Sequence, residues 1–287
     1  NYARERVQGR DLERGKDPNA PQVPIIRHPD VRRMLLGMKA YVEGMRSFVY
    51  YVGQCLDKEA LAADEAERAY YKGFGDLLTP LVKAYCAQRG FDVCVTALQV
   101  YGGYGYIKEY PVEQLVRDCK ITSIYEGTDG IQAMDLLGRK LGMAQGRVFM
   151  NFLEEIQKTI ALARDTNGLE GLSAEFERAV NRLGEVALHL GKSALSPKFK
   201  VAFAHAFPFL EVMGDVVLAW MLLWRAALAK QKIDSGIKKK DVEFYEGQLK
   251  SAEFFIHAIL PTTLGKMDSI AKCNGSAVEI SEAAFGG

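Results

Sequence analysis

One carboxylate, Glu126, stands in the run Ile124-Tyr125-Glu126-Gly127-Thr128-Asp129-Gly130-Ile131-Gln132, on a tight Gly-bearing turn just ahead of a helical apolar pattern. A carboxylate so placed can take a proton from a ligand that lies over the turn. Upstream, Gln99-Val100-Tyr101-Gly102-Gly103-Tyr104-Gly105-Tyr106 reads as a Gly-rich aromatic loop. Glycine there lets backbone come close to a ligand without a Cβ in the way. Glu109-Tyr110-Pro111-Val112-Glu113 and Arg117-Asp118-Cys119-Lys120-Ile121 lie between the two. Taken singly the pieces are weak, since a Glu on a turn is ordinarily solvated and a Gly-Gly-x-Gly loop is ordinarily a turn. The loop is not a dinucleotide fingerprint: no strand precedes it, and its spacing differs from G-x-G-x-x-G. Order and close succession carry the information.

The elements that must position these residues are helices. Apolar residues recur at three and four, and almost nothing alternates with period two. The start, from Asn1 to Gly9, reads as the last turns of a helix, and the Pro-bearing stretch 9–27 as a loop. His28-Pro29-Asp30 opens a helix whose stripe of Val31, Met34, Leu35, Met38, Val42, Met45, Phe48, Val49 and Val52 should carry it to Leu61. The charged stretch 57–68 is the solvated end and turn, and 74–100 the next helix, which either kinks or begins at Pro80. Residues 117–124 include a short helix, and Thr128 or Asp129 caps one carrying Ile131, Met134, Leu137 and Leu141. Beyond lie long helices at 148–164, 173–194, 199–235 (broken at Pro208) and 240–269, followed by a frayed tail, 274–287.

With 287 residues, 48% hydrophobic and 25% charged, the composition is that of a soluble globular protein with a substantial core. A formal net charge of +1 gives no pull toward nucleic acid or anionic membrane. The apolar run 212–229 is interrupted by Asp215 and Arg225, which favours a buried core helix over a membrane span. Cys55, Cys86, Cys94, Cys119 and Cys273 show no metal-ligand spacing and read as thiols in a reducing, cytoplasmic compartment. His189, His205 and His257 sit singly in helical patterns, without a second ligand at i+4. The basic turn Lys238-Lys239-Lys240 reads as solvated.

Together the motifs between Tyr2 and Leu141 resemble the C-terminal helical domain of the acyl-CoA dehydrogenases, a flavoenzyme family. The resemblance implies an all-α fold: an up-down helical bundle over residues 1–143, followed by a second helical domain over 144–287. The second half resembles the extra domain of the longer branch, which includes enzymes similar to 3-(methylthio)propionyl-CoA dehydrogenase. The resemblance also implies FAD as cofactor, an acyl-CoA substrate, a flavoprotein as electron acceptor, and a homodimer or homotetramer. Glu126 matches the base that removes the α-proton of the acyl thioester, with Tyr125 and Gly127 beside the substrate. Arg6 matches the Arg of the family's R-x-x-F-G motif, which reaches the FAD pyrophosphate; here the Phe is missing and Gly9 follows one residue early. Gln99, Val100, Tyr101, Gly102 and Gly103 match the segment at the FAD adenine end, and Thr128, Asp129 and Gly130 the stretch near flavin and pyrophosphate.

The start of the chain, without an initiator Met, leads us to expect the C-terminal part of a longer polypeptide that is inactive by itself. An acyl-CoA oxidase shares the architecture and is the alternative enzyme. A helical assembly module without activity of its own is the alternative outside enzymology.

Overall fold

The structure, a computed structural model, describes residues 1–286. It is built from helices: α1 (Tyr2–Glu5), α2 (Pro29–Leu61), α3 (Glu65–Pro80), α4 (Cys86–Tyr101), α5 (Val112–Lys120), α6 (Asp129–Asp135), α7 (Arg147–Arg164), α8 (Glu170–Ala194), α9 (Phe199–Ala204), α10 (Ala206–Asp234), α11 (Val242–Phe254), α12 (Leu260–Ala271) and α13 (Ser276–Glu279). The all-α reading holds, with one small exception. The N-terminal helix stops at Glu5, not Gly9, and the stretch expected to be loop contains an antiparallel ribbon, β1 (Val7–Arg10) with β2 (Gln22–Pro24). Ladder bonds to one short strand are enough to draw the other out of the helix.

Several helix boundaries also differ from the periodicity. Asp64 accepts a hydrogen bond from the Glu67 amide at 2.8 Å and so caps α3 inside the charged stretch. The helix expected at Phe74 therefore begins nine residues earlier, at Glu65. Pro80 does not begin this helix; α3 ends on it. A widened π turn, Leu81–Tyr85, follows the proline and carries the chain into α4. The break expected at Pro208 falls at His205, and Pro208 lies in the first turn of α10, where a missing amide costs no helical bond. A second π turn, Phe255–Ile259, joins α11 to α12. The tail expected to fray includes α13 and a 3-10 turn, Glu282–Phe285.

Burial on α2 keeps most of the expected stripe, adds small residues to it and leaves Val49 out. Ala40, Gly44, Phe48, Val52 and Cys55 face the main core, while Val49 is exposed. Small residues win because α10 approaches closely: a Cβ on Gly44 would come within 2.9 Å of Leu218. Val31, Met34, Leu35 and Met38 instead cover a separate small core of Ala3, Ile25 and Val100.

Helix α10 is the centre of the main core, surrounded by α2, α7, α8, α11 and α12. It is long and apolar enough to cross a membrane, but 83% of its most apolar window is buried against the chain's own helices. Trp220 is fully buried, donates its indole N–H to Thr159 at 2.7 Å, and meets Tyr51, Phe152 and Trp224. The core runs without interruption from α2 and α3 into α7, α8 and α10. At the junction, Ala144, Gln145 and Gly146 take consecutive left-handed conformations, with φ of 49°, 60° and 83°.

Candidate functional site

Arg6 and the aromatic Gly loop, far apart in sequence, meet in the fold. Tyr2 stacks on Tyr101 with ring centroids 4.1 Å apart and planes 12° from parallel. Its hydroxyl donates to the Tyr101 carbonyl at 3.2 Å. Tyr110 contacts Tyr2, Tyr101 and Tyr104 at 5.8, 5.5 and 5.6 Å. The Arg6 guanidinium lies 5.0 Å from the centroid of the Tyr104 ring, a cation over an aromatic face. Its terminal nitrogen donates to Gln8 at 3.5 Å, and its buried Nε has no hydrogen-bond partner.

The loop itself has an open and a closed side. Gly102 sits at φ 62°, and a Cβ at Gly102 or Gly103 would meet no atom within 4 Å. Backbone is therefore accessible there. Gly105 is buried, and a Cβ there would collide with the Leu98 carbonyl and the Tyr101 side chain. Only glycine lets the loop fold back on the end of α4. Gln99 is exposed, whereas Val100 packs into the small core with Ala3 and Ile25 and supports the loop from below.

Helix α5 packs along α4 and leads into the second motif. The amides of Ile124 and Tyr125 both donate to the Ile121 carbonyl, at 2.9 and 3.2 Å. Glu126 then adopts φ 54° and Gly127 φ 90°. A left-handed non-glycine residue costs on the order of 1 kcal/mol and is kept where the surroundings fix it. Glu126 is exposed, and its carboxylate forms no hydrogen bond or ion pair among the described residues. Its neighbours Ile124, Tyr125 and Ile131 are exposed by 53%, 51% and 55%, an apolar setting for a free carboxylate.

Thr128 caps α6, its hydroxyl accepting from the Ile131 amide at 3.3 Å. Asp129 opens that helix, and its carboxylate faces inward, 3.7 Å from the Lys83 ammonium. Burial raises the Asp129 carboxyl above the usual range, while Lys83 and Lys120 pull the other way. Gly130 is exposed. The fold thus joins Arg6 to the loop, and Asp129 to Lys83. No hydrogen bond or ion pair among the described residues links Glu126 to either group.

Sequence reasoning missed Lys83, Tyr2 and Tyr110. A lysine in a helical pattern reads as solvated, and only the π turn that buries it shows otherwise. The four histidines are each engaged once: His28 with the Gln8 carbonyl at 2.7 Å, His189 with Cys273 at 3.3 Å, His205 with the Asn274 carbonyl at 3.2 Å, and His257 with Glu175 at 3.2 Å. Among the described residues no group of His, Cys, Asp and Glu is arranged to hold a metal.

Residues 5–141 match the family model for the acyl-CoA dehydrogenase C-terminal domain, and residues 152–281 that for the acetyl-CoA dehydrogenase C-terminal-like domain. The chain is 33% identical to a broad-specificity linear acyl-CoA dehydrogenase of Mycobacterium tuberculosis, over 99% of this chain and 48% of the relative. It is 37% identical to 3-methylmercaptopropionyl-CoA dehydrogenase of Ruegeria pomeroyi, over 90% of this chain and 43% of the relative. Its fold is that of the acyl-CoA dehydrogenase of Bacillus anthracis solved with FAD, with a TM-score of 0.64 at 19% identity, over 99% of this chain and 46% of that one. The chain spans about half the length of the curated relatives it matches.

Proposed function

The chain belongs to the acyl-CoA dehydrogenase family, and on that premise we propose that it is the base-bearing C-terminal part of an FAD-dependent enzyme that oxidises an acyl-CoA to the 2,3-enoyl-CoA. The observation that carries this reading is Glu126, a free carboxylate on a left-handed turn among exposed apolar residues. The acyl chain covers that turn, with Tyr125 and Gly127 beside it. Glu126 accepts the proton from the carbon α to the thioester carbonyl. An apolar setting suits this step, because a carboxylate freed of water is a better base and the emerging negative charge is more sensitive to fixed dipoles.

FAD, when bound, supplies the acceptor for the hydride that leaves the β-carbon. The residues present fit such a group at its phosphate and adenine end. The buried Arg6 Nε lacks a partner, and a guanidinium meets phosphate oxygens with paired donors. The open backbone at Gly102 and Gly103 accepts a flat ligand without obstruction. Gln99, Val100 and Tyr101 hold that backbone in place, and Thr128, Asp129 and Gly130 begin α6 behind the base. Asp129 acts from the inside, through Lys83, and not as a ligand contact.

In this reading the first 143 residues carry the site, and residues 144–287 brace it through the shared core. An electron-accepting flavoprotein reoxidises the enzyme, and copies of the chain assemble as a dimer or tetramer in the cytoplasm. The test is a visible absorbance spectrum of the full-length protein, followed during anaerobic addition of an acyl-CoA series. A flavin spectrum that bleaches with at least one acyl-CoA supports the reading. A flavin-free protein, or one that no acyl-CoA bleaches, refutes it. Rapid reoxidation by dissolved oxygen alone would favour the oxidase alternative.

A further inference from the structure

We propose that Lys83 is a positioning residue for the base-bearing turn: its ammonium holds the start of α6 through Asp129, and with it the Glu126 and Gly127 conformation that proton transfer needs. The inference rests on the proposed role of Glu126, but its geometry stands apart from that role.

The turn has little else to hold it. Glu126 and Tyr125 are exposed, and the left-handed φ of Glu126 and Gly127 is maintained only by what precedes and follows them. Ahead of the turn, two amide bonds to the Ile121 carbonyl tie it to α5. Behind it, Thr128 caps α6 at 3.3 Å, a long bond to an exposed hydroxyl. Further along, Ala133 packs α6 into the core, and at the helix start the polar anchor is the Asp129 carboxylate, 3.7 Å from Lys83.

That anchor is fixed at its far end. Lys83 lies in the π turn Leu81–Tyr85, whose Leu81, Ala84 and Tyr85 are fully buried. Tyr85 in turn donates to Asp215 of α10 at 2.6 Å. The backbone that carries Lys83 is therefore held by core residues on both sides. Both charged side chains are largely covered, 18% exposed for Lys83 and 14% for Asp129. The Lys83 Nζ and the Asp129 Oδ1 have no hydrogen-bond partner, so the two charges face each other directly, with Lys120 a second positive influence on Asp129. Attraction between charges at this separation strengthens sharply as water is excluded, and a covered charge that loses its partner is strongly disfavoured. Burial pushes the Asp129 carboxyl upward and Lys83 is the first influence opposing it, with Lys120 second. A displaced base loses rate steeply, because proton transfer needs near-contact geometry.

The test compares wild type, Lys83→Arg, Asp129→Asn, and the double variant Lys83→Met with Asp129→Asn. The double variant removes both charges, so it separates positioning from the cost of a stranded charge. Amide hydrogen exchange over residues 124–131 is read in the 287-residue chain, and kcat and KM in the FAD-loaded full-length protein. Positioning predicts a melting temperature close to wild type for the double variant, faster exchange in that segment, and kcat lowered by about tenfold or more with KM little changed. Lys83→Arg keeps the charge and should restore slow exchange and most of kcat. Lys83→Gln combined with Asp129→Asn, which also strands no charge, takes its place if that double variant fails to fold. Exchange indistinguishable from wild type in the charge-removing variants overturns the proposal, whatever the activity. A wild-type protein that reduces no flavin would instead refute the function reading, and the exchange result would still decide the role of Lys83.

Discussion

The Tyr85 hydroxyl donates a 2.6 Å hydrogen bond to Asp215, across 130 positions of sequence, in the most deeply buried part of the fold. Asp215 is 3% exposed and accepts a second bond from Thr263 of α12 at 2.8 Å. Arg89, one turn beyond Tyr85, lies 5.4 Å from the Tyr85 ring centroid and pairs with Asp92 and with Glu211 of α10, both at 2.6 Å. One polar cluster therefore ties the π turn that carries Lys83 to the central helix α10 and to α12. Both oxygens of the buried Asp215 carboxylate have a donor, while the Arg89 Nε at the edge of the cluster has no partner.

Tyr85→Phe should lower stability by about 1–3 kcal/mol, because it leaves one oxygen of a buried carboxylate without a donor. The shape of the ring is kept, so packing contributes little to the loss. Urea unfolding of the variant checks this. A midpoint equal to that of wild type would show that the bond is dispensable.

The pH dependence follows from Asp215. Burial raises its carboxyl above the usual range, against the opposing influence of Arg89, the Tyr85 and Thr263 hydroxyls and Lys266. A raised folded-state value means that the folded protein holds the proton more tightly than the unfolded chain. Stability from this group is therefore full below the unfolded carboxylate value of about 3.9 and falls as pH rises from there toward the folded value. Asp215→Asn removes that dependence. Asn accepts from Tyr85, and its amide can donate to Thr263, which still has the Ile259 carbonyl at 3.2 Å as acceptor. The stability of Asp215→Asn relative to wild type should rise with pH across the window above the ordinary carboxylate value. Parallel stability curves for the two proteins would contradict the assignment.

Gly214→Ala sets two effects against each other. Alanine favours helix over glycine by about 1 kcal/mol. A Cβ at Gly214 would overlap the Tyr85 ring, which is fully buried and fixed by its hydroxyl. Overpacking a tight site costs about 1–3 kcal/mol or more. The clash should win, and a net loss in melting temperature is expected. Because the two residues share the contact, the cost should shrink when Gly214→Ala is combined with Tyr85→Ala, and the pair should not add. A gain in melting temperature for the single variant would show that the ring moves freely.

Much of this architecture is legible in the sequence, and the exceptions have physical causes. Period 3.6 marks α2, α7 and α8, because long helices repeat their apolar faces often enough to be read, while α10 stands out as a nearly continuous apolar run. The ribbon of β1 and β2 is too short for period two to register. Asp64 looks like one more charge in a solvated stretch until its carboxylate is seen capping α3. Ala40 and Gly44 mark the tightest contact on α2 by being small, which a hydrophobic count overlooks. The candidate site divides the same way. Glu126, Arg6 and the Gly loop announce themselves by residue type and order. Lys83 and the Tyr85–Asp215 pair depend on long-range contacts that no local pattern encodes.

Whether Glu126 takes the α-proton is decided by the rate of flavin reduction without its carboxylate. Full-length wild type and Glu126→Gln, each loaded with FAD, are mixed rapidly and anaerobically with an acyl-CoA that bleaches the wild-type flavin. Gln keeps the shape of the side chain and removes the proton acceptor. Flavin should stay bound in the variant while its reduction slows by about 10²–10⁴-fold or more. Reduction of the variant at the wild-type rate would rule Glu126 out and assign the base to another residue.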